Sequence, residues 1–176
     1  MNGVKVRPRR DDEIVYETDV LKITVVRPTS PNAQRKRAQE VGSRANRDTK
    51  FDFGVYAAMD DCNREFQIHA FIGASHERAV AFLLLEKRST IWLARWPDIE
   101  AGLYPPEISE RIAEWTIGFI WVHSRVRRHG IARKLLHEAA RFARIPTVQL
   151  GWYTPFTDEG RLLVRAICPS EFRVIK

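Results

Sequence analysis

Thr116–Arg144, TIGFIWVHSRVRRHGIARKLLHEAARFAR, is the stretch whose reading decides the fold. Ile117 to Val122 is rich in β-branched and aromatic residues, the composition of a buried strand. His123 to His129 is a basic turn, and a helix opens near Gly130. Ile131, Leu135, Ala139 and Phe142 recur at helical spacing and give that helix one buried stripe. The first-turn N–H groups of a helix have no intrahelical partner. The helix dipole adds about half a positive charge at the same end. Together they make an anion site, and Arg125, Arg127, Arg128 and Arg133 surround it. A strand, a basic turn with glycine and a helix thus predict a place for phosphate.

Downstream, Val148 to Tyr153 predicts a short strand and Thr154-Pro155 a turn. Thr157 or Asp158 caps a helix reaching about Ile167, with Leu162, Leu163, Ala166 and Ile167 on its apolar side. Phe172 to Ile175 is a last strand. Upstream, Ala79 to Leu85 (AVAFLLL) is continuously apolar, so it predicts a central strand buried on both faces. Glu86 closes it. Phe51 to Met59 and Glu65 to Ile72 alternate and predict a hairpin around the Asp- and Asn-rich Asp60 to Arg64, with the next turn at Gly73 to Glu77. Ile91 to Trp96 continues the apolar run or adds a strand, Asp98 to Pro106 is a loop and Pro106 to Ala113 a short helix. Ile14 to Val26 is a strand pair or one long strand. Thr29 to Lys50 is helical in its middle, with Ser30 as N-cap and Pro31 at the first position. It is Arg-rich and poor in apolar residues, which predicts a solvated helix or a flap drawing in an acidic partner. Residues 1–13 form a polar, frayed arm and 14–176 a single domain. Early antiparallel strands followed by strand–helix–strand–helix–strand indicate an α+β fold with a mixed sheet.

Composition bounds the rest. The chain has 176 residues, 44% hydrophobic and 29% charged, typical of a water-soluble globular domain. No apolar run nears the ~20 residues needed to span a bilayer. The first residues lack the apolar core of a secretory signal. Cys62 and Cys168 form neither a disulfide framework nor a metal-ligand spacing, so the expected compartment is the cytoplasm. His69, His76, His123 and His129 also lack metal spacing, and no metal is expected. The net charge of +7 favours anionic partners.

Val122, Arg127, Gly130 and Ala132 form V-x-x-x-x-R-x-x-G-x-A. This resembles the acetyl-CoA signature of the GCN5-related N-acetyltransferase (GNAT) superfamily. FIWVHSRVRRHGIARKLL, WYTPFTDEGRLLVRAIC and FRVI are similar to the C-terminal domain of the cohesin acetyltransferases (the Eco1/ESCO type). HAFIGASHERAVAFLLLE resembles that family's upstream strand pair, Glu86 included. The likeness runs from about Ile68 to Ile175, with a gap from Pro97 to Glu114. The family's zinc finger is absent. An acidic residue that follows the family's last strand is Thr154 here, and a catalytic helix glutamate falls at His137, with Glu138 beside it.

The resemblance implies a GNAT fold, a mostly antiparallel twisted sheet flanked by helices. It implies acetyl-CoA as co-substrate, held by Ile120, Trp121, Val122, Arg127, Arg128, His129, Gly130, Ile131, Ala132 and Arg133. Glycine lets the backbone approach the diphosphate closely. A strand amide aimed at the thioester oxygen would stabilise the developing oxyanion. The acceptor amine must also lose a proton. Glu86, His137 and Glu138 are the candidates, set against plainer roles as a strand-end carboxylate, a surface histidine and an Arg-paired carboxylate. The expected activity is direct acetyl transfer to a primary amine, preferably a protein lysine. The alternative is an inactive GNAT-fold module that binds nucleic acid or an acidic protein through Arg35 to Arg47.

Overall fold

In the computed structural model the run Ala79–Leu85 lies in the interior of a sheet covered on both sides. The structure describes residues 4–7, 9–49, 56–89, 91–103 and 114–175. In chain order the elements are β1 (Glu13–Glu17), β2 (Lys22–Val26), α1 (Asn32–Thr49), the single turn α2 (Cys62–Glu65), β3 (His69–Ser75), β4 (Arg78–Arg88), β5 (Trp92–Arg95), α3 (Trp96–Glu100), β6 (Glu114–Val122), α4 (Ile131–Ala143), β7 (Gly151–Tyr153), α5 (Asp158–Ile167) and β8 (Glu171–Ile175). The strands form one 8-stranded sheet in the order β1-β2-β3-β4-β6-β7-β8-β5. β7 runs parallel to both its neighbours, β6 and β8, and every other pairing is antiparallel. This is the expected mixed, mostly antiparallel α+β sheet.

Alternation along β4 sets the layers. Ala81, Leu83 and Leu85 pack with Leu135, Leu136, Ala139 and Ala140 of α4. Phe82, on the opposite face, packs with Ala38, Val41 and Ala45 of α1. Each fully buried Leu or Phe contributes about 1.5–3 kcal/mol by leaving water, so the two faces hold the sheet between helices of very different character. α4 has a continuous apolar side. α1 hides a stripe of small residues among arginines, which is why it was expected to be solvated; Ala38, Val41 and Ala45 are fully buried. Two of its arginines are also engaged at home. Arg37 pairs with Asp12, and Arg44 pairs with Asp48 at 3.1 Å.

Several local expectations fail for physical reasons. Tyr56–Met59 is not a strand, and 51–55 lies outside the described residues. Cys62–Glu65 is a helical turn, so β3 starts at His69 and finds its partners in β2 and β4. The hairpin turn is only His76-Glu77, both at positive φ, so Gly73 to Ser75 remain in β3. α3 replaces the start of the loop after Pro97, and the helix expected over 106–113 lies outside the described residues. Thr147–Gln149 is a 3-10 turn, leaving β7 short. Pro31 offers the first helical carbonyl of α1, while Ser30 Oγ accepts from the Arg27 N–H. Thr157 caps α5 through the Gly160 N–H, and the buried side of α5 is Val164 with Leu163 and Ile167 beside it; Leu162 and Ala166 face water. The N-terminal arm is docked: Val6 is buried, its N–H donates to Glu77 O, and Ala79 N–H donates to Val4 O. No helix among the described residues is long and apolar enough to cross a membrane.

Candidate active site

β6 and β7 pair at Thr116↔Gly151 and Ile117↔Trp152 and then part. β7 ends at Tyr153, while β6 runs on to Val122 along β4. From Gly118 onward, the β7-side edge of β6 has no strand neighbour among the described residues. The sheet therefore opens as a wedge with exposed backbone groups on one wall. A bulge shapes that wall. Leu84 faces Phe119 and Leu85 faces Ile117, so Gly118 is the extra residue of β6. Such a bulge bends a strand and re-aims the groups beyond it.

The wedge leads to the basic turn. Ser124–Val126 is a 3-10 turn, Arg128 has φ +67° and Gly130, at the helix cap, has φ +77°. Left-handed backbone is costly for residues with a Cβ and natural for glycine. No side chain caps α4, and its first intrahelical bond is from Lys134 N–H to Gly130 O. The N–H groups of Ile131, Ala132 and Arg133 precede that bond, at an exposed end flanked by Arg125, Arg128 and Arg133. This donor set fits a diphosphate. Arg127 is partly occupied: its Nε donates to Val122 O at 3.1 Å, and its guanidinium lies 3.5 Å from Glu159 of α5. Both groups of that ion pair are well exposed, so it is weak and an incoming anion can replace it. His129 Nδ1 lies 2.8 Å from Arg127 O, within the turn. Ile120 and Val122 pack on the α4 side, whereas the Trp121 side chain is buried on the α1 side. Trp121 can serve the wedge only through its backbone.

Glu86 sits on the α1 face of β4, in register with Thr116, and is only 6% exposed. A buried carboxylate is costly unless it is paired. Arg88 Nη2 meets Glu86 Oε2 at 3.1 Å, and the Arg88 guanidinium lies 4.0 Å from the Phe66 ring centre. Tyr153 completes the group. Its phenol is held well above its ordinary pKa, by burial first, then by the Glu86 charge and a hydrogen bond with Glu86. Glu86 and Tyr153 are two strands apart, and Gly118 lies between them. A Cβ on Gly118 would stand 2.9 Å from Glu86 Oε1. Without it, the carboxylate leans over β6 toward the wedge.

The other two candidate bases lie elsewhere. His137 is exposed on α4, across the sheet from Glu86. Glu138 is 3% exposed and lies 3.2 Å from Lys134 Nζ and 2.7 Å from Arg141 Nη2. Arg141 also donates to Val15 O, and Lys134 stands over the Tyr16 ring. Glu138 thereby neutralises the cations that clamp α4 to β1. The sequence pattern did not single out Gly118 or Phe66, and it marked Tyr153 only as standing before the Pro turn. One signal was present: an isolated glycine inside an apolar strand marks a bulge or a close approach.

The model of the acetyltransferase (GNAT) family matches residues 43–150, more than half of the chain and all of the wedge wall and anion turn. The chain belongs to the GNAT acetyltransferase family. No curated protein matches it in sequence. Among solved structures, the xEco2 acetyltransferase domain bound to a K105-CoA conjugate is similar, with a TM-score of 0.73, 21% identity, and coverage of 95% of this chain and 98% of that one. A second structure of the xEco2 domain gives a TM-score of 0.70 at 21% identity, covering 96% of this chain and 98% of that one. A ribosomal-protein-alanine N-acetyltransferase from Brucella melitensis biovar Abortus 2308 gives 0.53 at 16% identity, covering 84% and 90%. At these identities the likeness shows the fold. That likeness of fold also covers the N-terminal part of this GNAT chain, where sequence alone gave no resemblance.

Proposed function

We propose that the chain transfers acetyl from acetyl-CoA directly to a primary amine, with a protein lysine as the preferred acceptor. The observation that carries this reading is the parted β6–β7 edge leading into an uncapped, basic helix start. The thioester fits along Gly118 to Val122, and the diphosphate at Arg128 to Arg133. Each charge-assisted hydrogen bond there contributes about 1.5–3 kcal/mol. A lysine acceptor is supported by the K105-CoA conjugate held by a domain of the same fold. Cys62 and Cys168 are both free thiols, which suits the cytoplasm.

Glu86 is the base. A lysine with an ordinary pKa near 10.4 must give up about 4.6 kcal/mol to be neutral at pH 7. Glu86 is the carboxylate that leans toward the wedge, whereas His137 lies across the sheet and Glu138 is spent on Lys134 and Arg141. The binding-module alternative gains no support, because Arg37 and Arg44 already hold Asp12 and Asp48.

Calorimetric titration with acetyl-CoA tests the cofactor half, and radiolabelled acetyl transfer to a cell lysate tests the acceptor. Saturable binding followed by label in protein is the expected result. Absence of acetyl-CoA binding sinks the proposal, and label found only in small amines removes the lysine preference.

A further inference from the structure

Glu86 does not reach the wedge alone, because β6 stands between β4 and the parted edge. Tyr153 does. It is the last residue of β7, where β6 and β7 separate. Trp152 is buried on the α4 side, so alternation turns Tyr153 to the face that carries Glu86. Its phenol lies near enough for the Glu86 charge to act on it, and its ring centre lies 5.8 Å from the Arg88 guanidinium that holds Glu86. An ionised carboxylate can only accept, so in any hydrogen bond between the two the phenol is the donor. What Tyr153 offers an amine in the wedge is an oxygen lone pair.

We propose that Tyr153 is a catalytic residue: the relay through which the acceptor's proton reaches Glu86 across Gly118. The inference rests on Glu86 being the base. The ammonium gives a proton to the Tyr153 oxygen as the phenolic proton passes to a Glu86 oxygen. The neutral amine then forms the C–N bond. The C–S bond breaks with its electron pair on sulfur, and the second N–H proton neutralises the thiolate. Glu86 releases its proton to solvent, so one ammonium and one thioester give one amide, one thiol and one proton. Burial and the Glu86 charge keep the phenol protonated at rest, as a relay requires. The charged groups acting on it among the described residues are Glu86 and Arg88, both from β4.

The test compares Tyr153→Phe, Glu86→Gln and the double variant in radiolabelled acetyl transfer to a lysine-peptide library and to spermidine. Each single variant should lose about 10²–10³-fold in kcat near pH 7. The double variant should be no slower than the slower single, because the groups act in series. Both singles should recover about tenfold per pH unit as solvent takes over the deprotonation of a lysine with pKa near 10.4. Acetyl-CoA affinity should stay unchanged. A Tyr153→Phe rate within about threefold of wild type, a loss of acetyl-CoA affinity in that variant, or losses that multiply in the double variant would overturn the relay. A wild-type rate in Glu86→Gln, or no turnover of any amine by the unmodified chain, sinks the base reading itself. A slow Glu86→Gln beside an undiminished Tyr153→Phe sinks the relay alone.

Discussion

The two halves of the candidate site are built in opposite ways. The anion turn is local: strand, turn and helix start follow one another from Val122 to Arg133, and its donors are backbone N–H groups. The acceptor side is assembled at a distance, from Phe66, Glu86, Arg88, Gly118 and Tyr153, on β4, β6, β7 and the segment before β3. A backbone site tolerates side-chain change as long as the turn keeps its shape. A side-chain site fails when any one member is lost. The comparison therefore predicts that the halves break separately and by different substitutions.

The largest expected effect is on the acceptor side. Glu86→Gln should lower kcat by about 10²–10³-fold and leave acetyl-CoA affinity intact, measured by steady-state kinetics and calorimetry. Gly130→Glu attacks the other half. It places a charged side chain at φ +77° beside the anion site and should weaken acetyl-CoA binding by about 100-fold, while the backbone strain separately costs roughly 1–2 kcal/mol in folding. Equal damage to affinity from both substitutions would show that the halves are one unit.

The scaffold shared by both halves has its own weak point in His69, packed against Phe142 and Trp115. Burial, then the nearby Arg27 charge, pushes its pKa down to about 4. The unfolded chain takes up a proton as pH falls through about 6.5, and the folded chain does not until about 4. Stability should therefore fall across that window, by up to about 3 kcal/mol. Thermal melts of His69→Phe should show a flatter acid limb than wild type; parallel limbs would remove His69 as the cause. Gly118→Ala is gentler, because the clash is with the movable end of Glu86. It should lower kcat about tenfold with a stability loss near 1 kcal/mol, seen by kinetics and denaturant titration. His137→Ala should change neither rate nor affinity, and a large drop in kcat would move the base to α4.

Legibility in the sequence follows the same division. The anion turn, α4 and the central run of β4 could be read because each is contiguous and each has one period. The Thr157 cap was legible for the same reason. The basic helix α1 was misread because Ala38, Val41 and Ala45 are too small to show as an apolar stripe beside five basic residues. The hairpin placed around Asp60 failed because alternation over Phe66, Ile68 and Ala70 is equally compatible with a helical turn that feeds β3 from outside. Glu86 was legible as the end of an apolar run with Arg88 beside it, yet its neighbours across the sheet were not. They lie more than thirty residues away in Gly118 and Tyr153, and only the strand order β4-β6-β7 brings them together. Gly118 was the one visible clue, a residue with no side chain where a strand should have one.

The most direct test of this division is acetyl-CoA titration into Glu86→Gln and Gly130→Glu side by side, followed by single-turnover acetyl transfer by each at saturating acetyl-CoA. The prediction is that Glu86→Gln binds like wild type and turns over slowly, while Gly130→Glu binds weakly and turns over at close to the wild-type rate once saturated. Weak binding by Glu86→Gln, or an undiminished rate from it, would contradict the account.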